Sequence, residues 1–133
     1  MRAKSKQKIS VIQRKLWIEC KRLIRQRYGN TCYTCGKTNL FGSNWHTGHL
    51  WPKASLGAYL KYDLRILRPQ CYNCNINLGG NGAVFYSKML EEKKEIFMTL
   101  LETEKQIIVP RAYEHYKTLL EKYKGLLYKY DMI

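Results

Sequence analysis

The sequence predicts an α+β fold in which a small module of strands and turns lies between helical segments. Two Cys-x-x-Cys pairs, Cys32/Cys35 and Cys71/Cys74, enclose a stretch rich in turn-forming residues. Before and after these pairs, apolar residues repeat at helical spacing. The 133 residues are about one domain in length, so we expect a single compact domain.

Three segments divide the predicted domain. They are a basic arm with an amphipathic helix over residues 1–28, a cysteine-containing module over 29–90, and C-terminal helices over 91–133.

The first segment predicts an arm followed by a helix. Residues 1–8 are basic and lack apolar periodicity, so we expect a mobile arm there. Ser10 can cap a helix, with Gln13 three residues later, and Gly29 predicts the helix end. The apolar positions of this helix, at helical spacing, are Ile12, Leu16, Cys20, Leu23 and Ile24.

The cysteine pairs predict a structural zinc ion. Each pair lets two thiolates reach one ion from a tight turn, and two pairs complete a tetrahedral sulfur shell. We therefore expect Zn²⁺ on Cys32, Cys35, Cys71 and Cys74. The 35 residues between the pairs exceed what a simple zinc knuckle needs, which suggests that the functional part is built on this insert.

The insert and the C-terminal segment differ in character. Residues 38–69 favour a short hairpin and loop over a helix. From Ala83 a helix is predicted that ends before Pro110. Its apolar positions are Phe85, Met89, Ile96 and Leu100, with Tyr86, Leu90, Phe97 and Leu101 beside them. Pro110 suits the first turn of a last helix.

The last helix carries an apolar stripe that allows two interpretations. Its members are Tyr113, Tyr116, Leu120, Tyr123, Leu127 and Tyr130. The stripe either packs on the protein's own core or forms a homodimer through the C-terminal helices.

The charge is uneven along the chain. The formal net charge is +14. Residues 1–28 contain ten Lys or Arg and one acidic residue, residues 29–90 contain six basic and one acidic, and residues 91–133 contain eight of each. A basic patch of this kind usually neutralises phosphate, so nucleic acid is the expected partner; a merely solubilising surface is the alternative. The candidate contacts are Arg14, Lys15, Arg22, Arg25, Lys53, Arg65 and Arg68.

The sequence also predicts the compartment. It shows no signal peptide and no apolar run near the roughly 20 residues that cross a bilayer, so we expect no membrane association. Cys20 lies far from both pairs and is expected to be a buried thiol in a reducing compartment. The cytoplasm is the predicted location.

The insert and the second cysteine pair resemble a known family. The chain is similar to the HNH nucleases, which have a ββα-metal fold, and more narrowly to the phage NinG (Rap) recombination nucleases. The layout is also similar to phage endonuclease VII, a junction resolvase. The matching segments, within residues 32–86, are Cys32 to Cys35, Gly48-His49, Pro69 to Asn75 and Gly80-Asn81.

The resemblance implies roles for two residues. In endonuclease VII an Asn directly after the last zinc cysteine binds the catalytic metal, which implies that role for Asn75, with His49 as general base. The residue chemistry agrees, because an imidazole can accept the proton of water at neutral pH, and an amide oxygen suits Mg²⁺ or Mn²⁺. Taken alone, His49 would more often be a packed or surface histidine and Asn75 a helix cap, but their occurrence in one shared pattern favours the functional roles.

The sequence departs from the family pattern at two positions. Gly48 stands where many HNH proteins have a metal-binding Asp, so the second metal ligand must come from elsewhere. His46 is the best candidate and Asp63 the fallback. The family's central Asn, which stabilises the loop around the base, falls at Ile66, so the group that orients His49 is open.

We therefore expect an endodeoxyribonuclease of the HNH type. The resemblance implies branched recombination intermediates, such as Holliday junctions and D-loops, as substrates, with 5′-phosphate and 3′-hydroxyl ends as products. Two alternatives stand beside it. One is a non-catalytic zinc module that binds nucleic acid as a recombination accessory, and the other is an HNH nicking nuclease without structure selectivity.

Overall fold

The structure, a computed structural model, describes residues 2–126 and has a mixed α+β architecture, which confirms the predicted class. A two-stranded antiparallel sheet lies among four helices within these residues. The elements in chain order are α1 (Arg2–Tyr28), β1 (His46–His49), α2 (Ala58–Lys61), β2 (Leu67–Gln70), α3 (Gly82–Glu104) and α4 (Ala112–Lys124).

Helix α1 is longer than predicted. It begins at Arg2, so the expectation of a mobile arm over 1–8 is wrong for the described residues, and Ser10 lies inside the helix and does not cap it. Lys, Arg, Gln and Ala are good helix formers, and extending an existing helix requires no new nucleation. Gly29 ends the helix as predicted, in the left-handed conformation with φ of 75°.

Helix α1 packs mainly against α4. Its predicted apolar positions are all buried, and four of them, Leu16, Cys20, Leu23 and Ile24, are fully inaccessible. The residues of the α4 stripe that meet this core are Tyr116, Leu120 and Tyr123. The stripe thus packs on the protein's own core; Leu127 and Tyr130 lie outside the described residues, and dimerisation through these helices stays a prediction.

The sheet joins two short strands over the insert. His46 pairs with Gln70 and His49 with Leu67, and just beyond the sheet the Leu50 N–H donates to the Ile66 carbonyl at 2.9 Å. The predicted hairpin and loop are therefore present. The one-turn helix α2 within the loop was not predicted, and it forms where Leu60, only 2 % exposed, enters the core.

Helix α3 is broken at Lys94, where φ is 74° and ψ is 167°. The break changes the face that meets the core, so Met98 and Leu101 are buried beyond it. The prediction that Ile96 and Leu100 continue the apolar face is therefore wrong, since they are 88 % and 51 % exposed. The predicted segment boundary at residues 90 and 91 falls inside α3, shortly before this break.

Arg68 on β2 is fully buried and ties several elements together. Its guanidinium lies 4.4 Å from the ring centre of Tyr28 and 5.2 Å from that of Tyr33, and it donates to Glu92 on α3 at 3.2 Å. Tyr33 also donates to Glu92, at 2.6 Å. The prediction of Arg68 as a nucleic-acid contact is corrected by this burial, because its charge is used inside the protein.

The Lys94 conformation leads to a stability prediction. This region of backbone space is essentially restricted to glycine, and a residue with a Cβ pays strain there. We expect Lys94→Gly to raise the free energy of unfolding by about 1 kcal/mol, measured by urea denaturation. Lys88→Gly, at an exposed helical position of α3, is the matched control and should lower it by about 1 kcal/mol. Equal losses in both variants would contradict the strained conformation.

Candidate functional site

The four cysteines of the two pairs converge on one point. All four Sγ atoms lie within 4.8 Å of one another, and Cys35 Sγ is 3.7 Å from Cys71 Sγ. Four thiolates around zinc, at about 2.3 Å each, place neighbouring sulfurs about 3.8 Å apart in a tetrahedron. The cluster Cys32, Cys35, Cys71 and Cys74 therefore could bind a structural zinc ion, as predicted.

Hydrogen bonds hold the sulfurs in place. The Cys74 N–H donates to Cys71 Sγ at 3.4 Å, and Asn81 Nδ2 donates to Cys74 Sγ at 3.7 Å. Thr34 Oγ1 lies 3.4 Å from Cys32 Sγ. Burial raises the pKa of Cys32, but the hydrogen bonds from Thr34 and backbone groups outweigh it, and the pKa falls to about 6. Burial instead raises the pKa of Cys35 and that of Cys74. A bound metal ion would itself favour the thiolate form of all four ligands.

Gln70 connects the cluster to the sheet. Its Nε2 donates to Thr34 Oγ1 at 3.1 Å and to the Gly80 carbonyl at 2.8 Å, while the Gly80 N–H donates to the Cys74 carbonyl at 2.9 Å. Asn81 adds its hydrogen bond to Cys74 Sγ. These contacts explain in structural terms why Pro69-Gln70 and Gly80-Asn81 lie in the segments that resemble the known family.

Asn75 and His46 are in contact. Asn75 follows Cys74 in a π-helical turn (Asn73–Asn77), and its Nδ2 lies 3.0 Å from His46 Nδ1. His46 Nε2 lies 2.8 Å from the Ser43 carbonyl, which can only accept, so Nε2 carries the ring proton. His46 Nδ1 therefore presents a lone pair to Asn75. The structure brings together the two side chains that the sequence proposed as ligands of a catalytic cation.

This pair fits a small divalent cation. If the Asn75 amide turns over, Oδ1 takes the place of Nδ2 and meets His46 Nδ1 at the same separation of 3.0 Å. Two ligands at right angles, each about 2.1 Å from an ion, are about 3.0 Å apart.

Asp63, the other candidate ligand, has a structural role. Its carboxylate accepts from the backbone N–H of Arg65 at 2.9 Å and from the Arg65 guanidinium at 2.9 and 2.7 Å. The same guanidinium reaches Glu104 at 2.8 Å. Of the two candidate ligands only His46 contacts Asn75. Because the Arg65 guanidinium is bound to Asp63 and Glu104, the prediction of Arg65 as a nucleic-acid contact is corrected.

Gln70 also explains the glycine at position 48. A Cβ on Gly48 would lie 1.8 Å from Gln70 Oε1 and 2.6 Å from its Cδ. The Asp that many HNH proteins carry here is therefore sterically incompatible with this sheet unless Gln70 moves.

His49 is oriented by groups that the sequence could not identify. Its ring stacks on Trp17 of α1, with ring centres 5.4 Å apart and planes 9° from parallel. Its Nε2 lies 2.9 Å from the Lys61 carbonyl, so Nε2 carries the proton and Nδ1 has the lone pair. Lys61 and Trp17 together replace the function expected of an Asn at position 66, where Ile66 is fully buried.

The environment of His49 keeps it neutral. Burial lowers the pKa of His49 to about 4; the hydrogen bond to Lys61 opposes the change, and the positive charges of Lys53 and Lys61 add to it. At neutral pH the imidazole is therefore uncharged and its Nδ1 has a free lone pair, while the same burial makes the ring a weaker base than a free imidazole.

A cavity of about 590 Å³ lies beside the contact between His46 and Asn75, and His49 is not among its described lining residues. It is lined by His46 and Asn75 and also by Trp17, whose ring stacks on His49. Its other lining residues include Lys21, Thr47 and Tyr72. Sequence reasoning missed Trp17, Lys21 and Thr47 as site residues, because helical spacing and residue type do not reveal which element the insert packs against.

The remaining basic residues predicted to bind nucleic acid fall into two groups. Arg14, Lys15, Arg25 and Lys53 are exposed, and Arg25 lies over the Trp45 ring at 4.1 Å. Lys53 Nζ lies 5.4 Å from the Trp17 ring, beside the candidate site. These residues remain candidate contacts.

Arg22 is the exception, because its guanidinium already binds other groups of the protein. It is paired with Glu19 at 3.3 Å and donates to the Tyr123 carbonyl at 3.0 Å. Its role is therefore to join α1 to α4.

Comparison with known families gives one match. The model of the family described as Bacteriophage Lambda NinG protein matches residues 2–131. The comparisons with curated proteins and with solved structures found no match. Within the described residues, no helix combines the length and apolarity needed to cross a membrane.

The cysteine cluster leads to a folding prediction. Zinc binding and folding are one equilibrium at sites of this kind, so Cys71→Ser should lose bound zinc and the cooperative thermal transition. Zinc is measured by plasma emission spectroscopy, and unfolding by circular dichroism. Cys20→Ala is the control, because Cys20 is buried elsewhere, with Sγ 3.7 Å from the Tyr62 carbonyl, and this variant should keep its zinc. Retained zinc and an unchanged transition in Cys71→Ser would contradict the assignment.

The lowered pKa of His49 leads to a prediction about stability and pH. The folded-state pKa of about 4 lies below the ordinary 6.5, so the unfolded chain binds more protons between these values and stability falls as pH falls. From pH 7 to pH 5.5 this group should remove about 1 kcal/mol. Urea denaturation of the protein and of His49→Gln should show their difference in unfolding free energy changing by that amount. A difference that is constant with pH would contradict the depressed pKa.

Proposed function

This chain belongs to the NinG family, and we propose that it is a metal-dependent endonuclease that hydrolyses DNA phosphodiester bonds. Membership in this family suggests a phage recombination-related role. The observation that carries the proposal is the 3.0 Å contact between Asn75 and His46, beside the cysteine cluster and in a cavity that also contains the stacking partner of His49.

The site contains the groups that this hydrolysis needs. His49 Nδ1 is the acceptor for a proton from water, and the Lys61 carbonyl and Trp17 hold the ring in that orientation. As the water oxygen bonds to phosphorus, the bond from phosphorus to the 3′-oxygen breaks. The 3′-oxygen takes a proton from solvent water, and His49 returns its proton to solvent, which leaves 3′-hydroxyl and 5′-phosphate ends.

Asn75 Oδ1 and His46 Nδ1 would hold the proposed cation. An oxygen and a nitrogen donor suit Mn²⁺ better than Mg²⁺, although either could serve. When bound, the ion would supply positive charge to the scissile phosphate. The Lys21 side chain lines the same cavity and adds a positive charge from the protein itself.

The proposed substrates are branched recombination intermediates, such as Holliday junctions and D-loops. The proposal rests on the recombination role of the family and on the formal charge of +14, which suits a polyanion. The order of two antiparallel strands, a turn carrying the second cysteine pair, and helix α3 supports the proposal that this part is an HNH module of the ββα-metal type.

The test is cleavage of matched four-way-junction, flap, linear duplex and single-stranded DNA with Mg²⁺ or Mn²⁺. We expect metal-dependent cutting of branched DNA, and His49→Ala and Asn75→Ala should each reduce the rate on the order of 100-fold or more. Asn77→Ala is the matched control. Asn77 lies in the same π-helical turn as Asn75 and its amide is exposed, so this variant should keep the activity.

Three outcomes would contradict the proposal. They are undiminished cutting by His49→Ala, products with 3′-phosphate ends, and DNA binding without cutting under all metal conditions. The last outcome would identify a non-catalytic zinc module.

A further inference from the structure

A groove of about 580 Å³ lies between α1 and α4 and is not part of the candidate site. Lys8 and Lys15 line it from α1, and Lys117 and Lys124 line it from α4. All four lysines are exposed. Glu121 is the one acidic residue among the described lining residues, so the groove carries an excess positive charge.

The spacing of these lysines is regular. On each helix the two lysines are seven residues apart, which is two helical turns or about 10 Å. A length of about 10 Å along duplex DNA carries roughly six phosphate charges. Among the described residues, none of the four lysines forms an ion pair. A polyanion can therefore bind these ammonium groups without first breaking an ion pair.

The groove suits a phosphate backbone better than unpaired bases. Its aromatic residue, Tyr113, is half-buried, and Lys8 Nζ lies 4.3 Å above the ring centre. This ring face is therefore covered by a cation, whereas base stacking needs an open one. The floor is aliphatic, with Ile12 and Leu120 buried beneath it, and offers no pattern of donors and acceptors for base edges.

We propose that the α1–α4 groove is a second DNA-binding surface, which holds the phosphate backbone of a duplex outside the catalytic cavity. This inference rests on the proposed function in one respect: it assumes that the bound polyanion is DNA. Sequence reasoning could not find the surface, because Lys117 and Lys124 belong to a segment with eight basic and eight acidic residues. Folding against α1 brings them to the basic part of the protein.

Helix α1 connects the two surfaces. Trp17 and Lys21 line the candidate site, and Lys8 and Lys15 line the groove. One rigid helix therefore sets the distance between a bound duplex arm and the place where a strand would be cut.

The test is the salt dependence of binding to a fluorescent linear duplex, measured by anisotropy without added Mg²⁺ or Mn²⁺. The groove variant changes Lys8, Lys15, Lys117 and Lys124 to Gln together. We expect weaker binding and a plot of log affinity against log salt that is less steep by about 3.6, because each of the four lost phosphate contacts removes about 0.9 from the slope.

The control variant changes four other exposed lysines to Gln and removes the same charge: Lys37, Lys88, Lys94 and Lys122. Its slope should change by less than about 1. The inference is overturned if both variants lose equal affinity and slope, or if the groove variant binds as the unchanged protein does. Because no cutting is needed, an inactive protein whose groove variant alone loses affinity would refute the proposed nuclease and still support the groove.

Discussion

The convergence of four cysteines is the constraint on which the rest of the structure depends. The two strands have four residues each, and a two-stranded sheet of that size is marginally stable in water by itself. A zinc ion on Cys32, Cys35, Cys71 and Cys74 would bind the turns before and after the insert to one point. The insert could then keep a fixed shape despite its length and small core.

The same constraint positions the chemistry. Asn75 directly follows a cluster residue, and the Gln70 side chain joins the cluster to β2, opposite His46. The His49 ring is held from another direction, by Trp17 of α1 and by the Lys61 carbonyl at the end of α2. The candidate site is therefore assembled from separate elements, and its geometry depends on the cluster and the α1 packing together.

The sequence predicted what depends on local spacing. The cysteine pairs, the buried positions of α1 from Ile12 to Ile24, and the pairing of Asn75 with His46 followed from short-range patterns or from resemblance. The break at Lys94 has no sequence signal, because nothing marks a lysine as left-handed, and it moved Ile96 out of the core. A count of charged residues assumes that every Lys and Arg lies at the surface. The buried Arg68 was therefore wrongly predicted to contact nucleic acid.

Long-range contacts explain the remaining differences. Two contacts follow from tertiary packing alone. Gln70 occupies the space beside Gly48, and Trp17 stacks on His49. The central claim is that Asn75 and His46 together bind one divalent cation. Anomalous diffraction from crystals soaked in Mn²⁺ tests it most directly. The account predicts a manganese peak in contact with His46 Nδ1 and Asn75 Oδ1, separate from zinc at the four cysteines. Manganese bound elsewhere, with the contact between His46 and Asn75 unchanged, would contradict it.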